Sequence, residues 1–150
     1  MTIIISAAQL QIIYAHAENI YPEEACGILI GTINNGAKTI VEIILTINAW
    51  GKSESDAATE IGKTKHSRYT IAPQDIFQAQ KRAQNLQLDI IGFFHSHPDY
   101  PAIPSECDRS QAWEIYSYPI VSVVQGNVSD FKSWVLDRDG VFQPEEIKID

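Results

Sequence analysis

The chain has 150 residues, of which 45% are hydrophobic and 20% are charged, a composition that is ordinary for one soluble folded domain. Its 19 acidic and 11 basic residues give a formal net charge of −8, which disfavours nucleic acid and anionic membrane surfaces as partners. The sequence lacks an apolar run of the ~20 residues that a transmembrane helix needs, and its first residues do not resemble a signal peptide. Because Cys26 and Cys107 are too few for a disulfide framework, we expect reduced thiols and a cytoplasmic location.

The predicted elements alternate between helices and strands. Ser6 and Gln9 fit a capping box at the start of a first helix, which Pro22 ends. Residues 34–36 fit a turn between two strands, and Pro73 suits the first turn of a second helix. The predicted set comprises helix 6–21, strands 26–31 and 39–47, helix 73–88, strand 89–97, helix 105–117, strands 119–125 and 131–136, and a last strand from residue 141.

This order predicts an α/β fold in which a mixed β-sheet is sandwiched by helices, in a single domain over residues 1–150. One polar stretch interrupts the pattern, from Asn48 to Arg68, and it is longer than most connections within a domain. We predict that this loop is mobile without substrate and borders a functional cleft. The alternative is a solvated insertion that has no role.

Two histidines and one aspartate have the spacing of metal ligands. His95 and His97 are two apart on a predicted strand, so both imidazoles point to the same face. A proline-rich loop then leads to Asp108 in the first turn of the third helix, which can return over the strand end. Three such ligands and one open position are typical of a catalytic zinc site. A His-x-His pair alone is more often structural, and Ser105 with Asp108 also fits a helix-capping pair, which is compatible with metal binding.

A catalytic zinc site also needs a carboxylate that does not bind the metal and can act as a general base. Glu23 and Glu24 lie directly before the strand that begins at Cys26. For Glu23 we favour a solvated surface charge. For Glu24 the spacing leaves both interpretations open, a solvated charge or the base.

Taken together, these positions resemble the signature of the JAMM (MPN-plus) family of zinc metallopeptidases. That signature is an early glutamate, His-x-His-Pro, seven residues, a serine, two residues and an aspartate. In this chain it is carried by Glu24, His95-Ser96-His97-Pro98, Ser105 and Asp108. The segments around Glu24 and directly before His95 also resemble the family's motifs, so the resemblance spans nearly the whole chain.

The resemblance implies a cytidine-deaminase-like α/β fold and a Zn²⁺ ion held by His95, His97 and Asp108. It implies that Glu24 is the general base and acid and that Ser105 helps to bind the oxyanion. Small single-domain bacterial members of the family resemble this chain, which implies hydrolysis at the C-terminal Gly-Gly of a ubiquitin-like or sulfur-carrier protein. The resemblance leaves open whether the bond that is cut joins this tail to an amino acid, a peptide or a lysine side chain. The sequence does not indicate the pathway or the oligomeric state.

Two other functions fit the sequence less well. A non-catalytic MPN-type binding module is the first, but such relatives typically lose the histidines or the aspartate that this chain keeps. A zinc nucleoside deaminase is the second, but it needs His-x-Glu and a Pro-Cys-x-x-Cys motif. The chain has His97 where that glutamate would stand, and it has no such cysteine pair. The sequence therefore favours a zinc peptidase.

Overall fold

Seven strands and three helices make up residues 1–51 and 63–150, which are the residues that the computed structural model describes. In chain order they are β1 (Thr2–Ile5), α1 (Ala7–Ile20), β2 (Cys26–Asn34), β3 (Ala37–Thr46), α2 (Pro73–Asn85), β4 (Asp89–Pro98), α3 (Glu106–Ser110), β5 (Ser117–Val124), β6 (Asn127–Leu136) and β7 (Phe142–Ile149).

The strands form one mixed sheet in the order β1-β3-β2-β4-β5-β6-β7, and β7 pairs with β1 to close a barrel. The pairs β1–β3, β1–β7 and β4–β5 are parallel, and the other pairs are antiparallel. Two-residue turns at Asn35-Gly36 and Gln125-Gly126 join antiparallel neighbours, and all four residues have positive φ, as type I′ turns require. The mixed sheet and the turn at residues 34–36 are as predicted.

Helices pack on both sides of β2. Ile13 of α1 lies in one buried cluster with Leu29, whereas Ala79 of α2 lies in another with Ile28 and Ile30. Because neighbouring residues of a strand point to opposite faces, these clusters cover the two faces of β2. The predicted α/β fold with a mixed sheet is therefore confirmed, and helices cover both faces of that sheet at β2. None of the helices within the described residues is long and apolar enough to cross a membrane.

The third helix is much shorter than predicted. The expected helix over residues 105–117 ends at Ser110, and β5 already begins at Ser117. Ser117 is fully buried and pairs with Gly92 of β4, so the chain has to leave the helix early to enter the sheet. Gly92 permits this close approach, because a Cβ atom there would lie 2.3 Å from the Ser117 carbonyl oxygen.

The first strand was not predicted. Its four residues, Thr2–Ile5, are too few for a periodic pattern to stand out. The strand is stabilised by its neighbours, since it pairs with β3 on one side and β7 on the other. Its inward residues Ile3 and Ile5 are each 1% exposed and join the core.

Candidate metal centre and active-site cleft

Three side-chain atoms form a nearly equilateral triangle at the end of β4. The Nε2 atoms of His95 and His97 and the Oδ2 atom of Asp108 are 3.1 Å from one another. Ligands of a tetrahedral zinc ion at 2.0–2.1 Å would be spaced by about 3.3 Å, so the triangle fits such an ion. The side chains are only 1%, 9% and 11% exposed. Among residues 1–51 and 63–150, this is the one cluster of three His, Cys, Asp or Glu side chains placed to hold a metal.

The two histidines are oriented in different ways. Nδ1 of His97 donates a hydrogen bond to the Pro101 carbonyl oxygen at 2.8 Å, which leaves the Nε2 lone pair directed at the triangle. The buried Nδ1 of His95 has no hydrogen-bond partner within the described part of the chain. Its ring instead stacks on Tyr69, with the ring centroids 4.4 Å apart and the planes at 20°. Burial lowers the pKa of His95, which favours the neutral form that binds metals.

Asp108 is held by the start of α3. Its backbone N–H donates to Ser105 Oγ at 3.0 Å, and its Oδ2 accepts from the Ser105 N–H at 2.9 Å. The predicted capping pair is therefore present, and the same Oδ2 faces the histidines. Burial acts to raise the pKa of Asp108, but His95 and His97 outweigh it and hold the pKa well below its usual range. The aspartate is accordingly ionised and able to bind a cation.

The loop over residues 98–104 brings Asp108 back to β4. Three successive carbonyl oxygens of this loop accept side-chain hydrogen bonds: Tyr100 from Ser122, Pro101 from His97 and Ala102 from Trp134. These donors lie on β5, β4 and β6, so three strands fix the path of the loop. The predicted return of the helix start over the strand end thus has a definite structural cause.

Glu24 lies beside the triangle and is only 5% exposed. Burial raises the pKa of its carboxyl group to about 9, the negative charge of Asp108 adds to the rise, and Arg68 opposes it. Two adjoining cavities meet at Glu24: it lines one with Asp108, and the other with His97 and Ser105. Neither cavity is lined by Glu23. Four of the five predicted site residues thus line this cleft, and the fifth, His95, lies buried behind it and reaches it through the triangle.

The described flank of the long polar loop also borders this cleft. Lys63, Ser67 and Arg68 line the cavity that contains His97, which agrees with the predicted position of the loop. The mobility of the loop from Asn48 to Arg68 stays a prediction, and residues 52–62 of this loop lie outside the described residues.

Three residues that support the site, Ser96, Tyr69 and Asn48, were not predicted from the sequence. Ser96 and Ala25 exchange two hydrogen bonds: the Ala25 N–H donates to Ser96 Oγ at 2.8 Å, and the Ser96 N–H donates to the Ala25 carbonyl at 3.0 Å. This fixes β4 against the residue next to Glu24. Asn48 and Ser96 contact backbone atoms far away in sequence, and Tyr69 contacts a side chain on another element. No spacing pattern could have revealed these contacts.

A family model described as prokaryotic homologs of the JAB domain matches residues 6–137. The chain belongs to this family. The resemblance to JAMM (MPN-plus) proteins is thereby confirmed.

Two curated relatives carry the name desampylase. The protein from Haloferax volcanii is 26% identical over 102 residues, which are 67% of this chain and 63% of that protein. The protein from Pyrococcus furiosus is 26% identical over 81 residues, which are 54% of each chain. The chain therefore spans less than two thirds of the length of both relatives.

Solved structures share the fold. A protein from Desulfitobacterium hafniense aligns with a TM-score of 0.78 and 26% identity, covering 100% of this chain and 93% of its own. A JAB1/MPN domain protein from Archaeoglobus fulgidus aligns with a TM-score of 0.53 and 19% identity, covering 99% of both chains. At 19% identity, the second comparison concerns the fold alone.

Proposed function

We propose that this protein is a zinc-dependent hydrolase of a peptide or isopeptide bond at the C-terminal Gly-Gly tail of a ubiquitin-like or sulfur-carrier protein. The observation that carries the proposal is the triangle of His95, His97 and Asp108, with the buried carboxyl group of Glu24 in the same cleft. The similarity to two proteins named desampylase supports the class of substrate that the family resemblance implies.

The donor set favours zinc over harder cations. Two imidazole nitrogens and one carboxylate oxygen are typical zinc ligands, whereas Mg²⁺ and Ca²⁺ prefer oxygen ligands throughout. When bound, zinc would supply a Lewis acid that polarises the scissile carbonyl and lowers the pKa of a coordinated water to ~7.

Glu24 and Ser105 would move the proton and stabilise charge. Glu24 would accept a proton from the attacking water and then deliver it to the leaving amine. A cation held by the three ligands favours the ionised carboxylate, which offsets the rise in its pKa caused by burial. The Ser105 hydroxyl accepts a hydrogen bond from the Asp108 N–H, and its own O–H can donate to the oxyanion that develops on the carbonyl.

The two cavities that share Glu24 as a lining residue suit an extended chain that crosses the site. Both are lined by Glu24 and Arg68, and one of them is bordered by Tyr100 and Pro101. An extended Gly-Gly tail would occupy one cavity and the leaving group the other. Glycine suits such a path because it has no side chain to place beside the aromatic and proline residues.

Two further parts of the proposal concern the fold and the location. The mixed sheet with helices on both faces supports a relation to the cytidine-deaminase-like architecture. A cytoplasmic location is proposed from the sequence, in which Cys26 and Cys107 do not make up a disulfide framework.

Glu24→Gln tests the proposal, with Glu23→Gln as the matched control. An amide cannot carry protons, so we expect Glu24→Gln to keep zinc while its kcat falls by about 1,000-fold or more. General acid–base catalysis typically contributes about 10²–10⁴-fold to the rate, and this loss lies in the upper half of that range. Glu23→Gln should retain nearly all activity. The measurements are metal analysis and cleavage of a ubiquitin-like protein that ends in Gly-Gly and carries a C-terminal extension.

Equal losses in both variants, or loss of zinc in Glu24→Gln, would show that the base or its role is wrong. Protein that holds no zinc after reconstitution would contradict the metal site. Zinc-loaded protein that binds the tail without cutting it would instead support a non-catalytic binding module.

A further inference from the structure

We propose that Asn48 is a positioning residue for Glu24, holding the general base in register with the segment that packs on His95. The inference rests on the proposed function, because it assigns Asn48 a part in the same reaction. Asn48 lies two residues after the end of β3 and is 8% exposed. It lies where the long polar loop begins, so its side chain connects both ends of that loop to the segment that leads into β2.

The amide nitrogen of Asn48 joins two backbone segments. Nδ2 donates to the Glu24 carbonyl oxygen at 3.0 Å and to the Arg68 carbonyl oxygen at 2.9 Å. Glu24 is held to the same segment from its other side, since its N–H donates to the Lys65 carbonyl oxygen at 2.6 Å. The backbone of the proposed base is thus fixed at both its N–H and its carbonyl group.

The amide oxygen of Asn48 anchors the segment that carries Tyr69. Oδ1 accepts from the Thr70 N–H at 3.1 Å and from the Trp50 N–H at 3.0 Å. The bonds to Arg68 and Thr70 therefore lie on either side of Tyr69, whose ring stacks on His95. The Asn48 carboxamide therefore sets the position of Glu24 relative to Tyr69, whose ring packs against His95.

All four hydrogen-bonding positions of this carboxamide are in use. A carboxamide has two N–H donors and an oxygen with two lone pairs, and the four bonds above fill them. Aspartate has nearly the same shape and could still accept from Thr70 and Trp50. It could not donate to the carbonyl oxygens of Glu24 and Arg68, which would face a carboxylate oxygen instead.

Three variants separate a positioning role from a contribution to stability alone. Asn48→Ala removes all four hydrogen bonds, and Asn48→Asp removes only the two that Nδ2 donates. Gln9→Ala is the matched control, because Gln9 also joins backbone segments through its carboxamide: Nε2 donates to Ile40 O at 2.9 Å, and Oε1 accepts from Ser6 N at 2.9 Å. Gln9 does not line either cavity of the cleft.

Kinetics on a Gly-Gly-tailed protein should show a selective loss. A displacement of about 1 Å in a catalytic group can cost on the order of 100-fold in rate, so we expect both Asn48 variants to lower kcat about 30- to 100-fold. KM should change less than about threefold, and bound zinc should stay near one per chain. Gln9→Ala should lower the melting temperature without lowering kcat by more than about twofold.

Amide hydrogen exchange in the metal-free protein gives a readout that does not depend on activity. In Asn48→Ala the Thr70 N–H loses its acceptor, and the Glu24 N–H, which donates to the Lys65 carbonyl oxygen, loses the support of a joined segment, so both should exchange at least about tenfold faster. In Asn48→Asp the acceptor of Thr70 remains, so only the Glu24 N–H should exchange faster. The N–H of Ser96, which donates to Ala25, should be unchanged in both variants. Asn48→Asp also keeps the test usable if Asn48→Ala fails to fold.

The inference is overturned if the Asn48 variants keep the wild-type kcat, or if kcat falls equally in Gln9→Ala. It is also overturned if Glu24 exchanges at the wild-type rate in both variants. A wild-type protein that cuts no Gly-Gly-tailed substrate overturns the proposed function instead, while the exchange rates still decide whether Asn48 anchors Glu24.

Discussion

At the residue scale, Glu24 combines a buried position with a negative neighbour. Its carboxyl group is 5% exposed, and burial together with Asp108 raises its pKa from the ordinary 4.5 to about 9. Between these two values the metal-free folded protein keeps the proton, whereas the unfolded chain releases it. The unfolded state therefore binds fewer protons, and the free energy of unfolding falls as the pH rises through this window.

We predict that this pH dependence disappears in Glu24→Gln. In the presence of a chelator, the wild-type protein should lose stability relative to Glu24→Gln between about pH 5 and pH 9. Each unit of pKa difference corresponds to about 1.4 kcal/mol, so the relative loss should reach a few kcal/mol. Urea denaturation of both proteins across this range measures it. A constant difference between the two proteins would show that Glu24 is already ionised without a metal.

The sequence was informative about side chains that act through their own chemistry. The predicted ligands His95, His97 and Asp108 lie together at 3.1 Å, because alternation along a strand and a capped helix start determine local direction. Asn48 and Tyr69 were missed, because their roles come from contacts between segments that only the tertiary structure brings together.

At the element scale, α3 has only five residues, yet its first turn supplies Asp108 and the N-cap residue before it is Ser105. The two side chains differ in their relation to the triangle. Asp108 Oδ2 lies 3.1 Å from both histidines, whereas Ser105 Oγ accepts from the Asp108 N–H. One side chain would bind the metal and the other would hold the helix start in place.

Substitution by alanine should separate these roles. Asp108→Ala removes one of three ligands, so we expect zinc affinity to fall at least about 100-fold. Losing a residue that only supports a ligand costs up to about 100-fold, and losing the ligand itself should cost at least as much. Ser105→Ala removes a helix cap worth about 1 kcal/mol and should lower zinc affinity less than about tenfold. Competition with a fluorescent zinc chelator measures both affinities. Equal losses would mean that α3 positions the site only as a unit.

Elements with local signals were predicted well, and elements that depend on the sheet were not. The capping box of Ser6 and Gln9 begins α1 as predicted, since its hydrogen bonds are local. The third helix was predicted too long, because the entry of Ser117 into the sheet beside Gly92 ends it. That competition between helix and strand depends on partners far away in sequence.

At the scale of the whole molecule, a buried polar network connects four strands of the barrel. Lys38 Nζ donates to Ser117 Oγ at 2.9 Å, and Ser117 and Ser133 donate to the two carboxylate oxygens of Glu145 at 3.0 and 2.8 Å. Lys38 and Glu145 are 2% and 5% exposed. Burial lowers the pKa of Lys38, and Glu145 opposes that shift. The carboxylate therefore helps to stabilise the buried ammonium group of Lys38.

Glu145→Gln should destabilise the protein by about 3 kcal/mol, because it leaves the Lys38 ammonium group buried without a compensating charge. The double variant Lys38→Met/Glu145→Gln should lose less than the sum of the two single changes. Denaturant unfolding of the wild type and the three variants gives the coupling energy. Additive losses would show that Lys38 and Glu145 act independently across the barrel.

The place of β1 between β3 and β7 has a consequence for how the protein is made. Thr2 lies beside Glu146, 144 residues along the chain, and ribosomes add about 5–20 residues per second. The first strand therefore waits on the order of ten seconds before its second neighbour exists. All three proposed metal ligands are synthesised before β6 and β7. A growing chain could thus bind its ion while the barrel still has an unpaired strand edge. Chaperones that cover exposed strand edges would protect the chain from aggregation mainly during that interval.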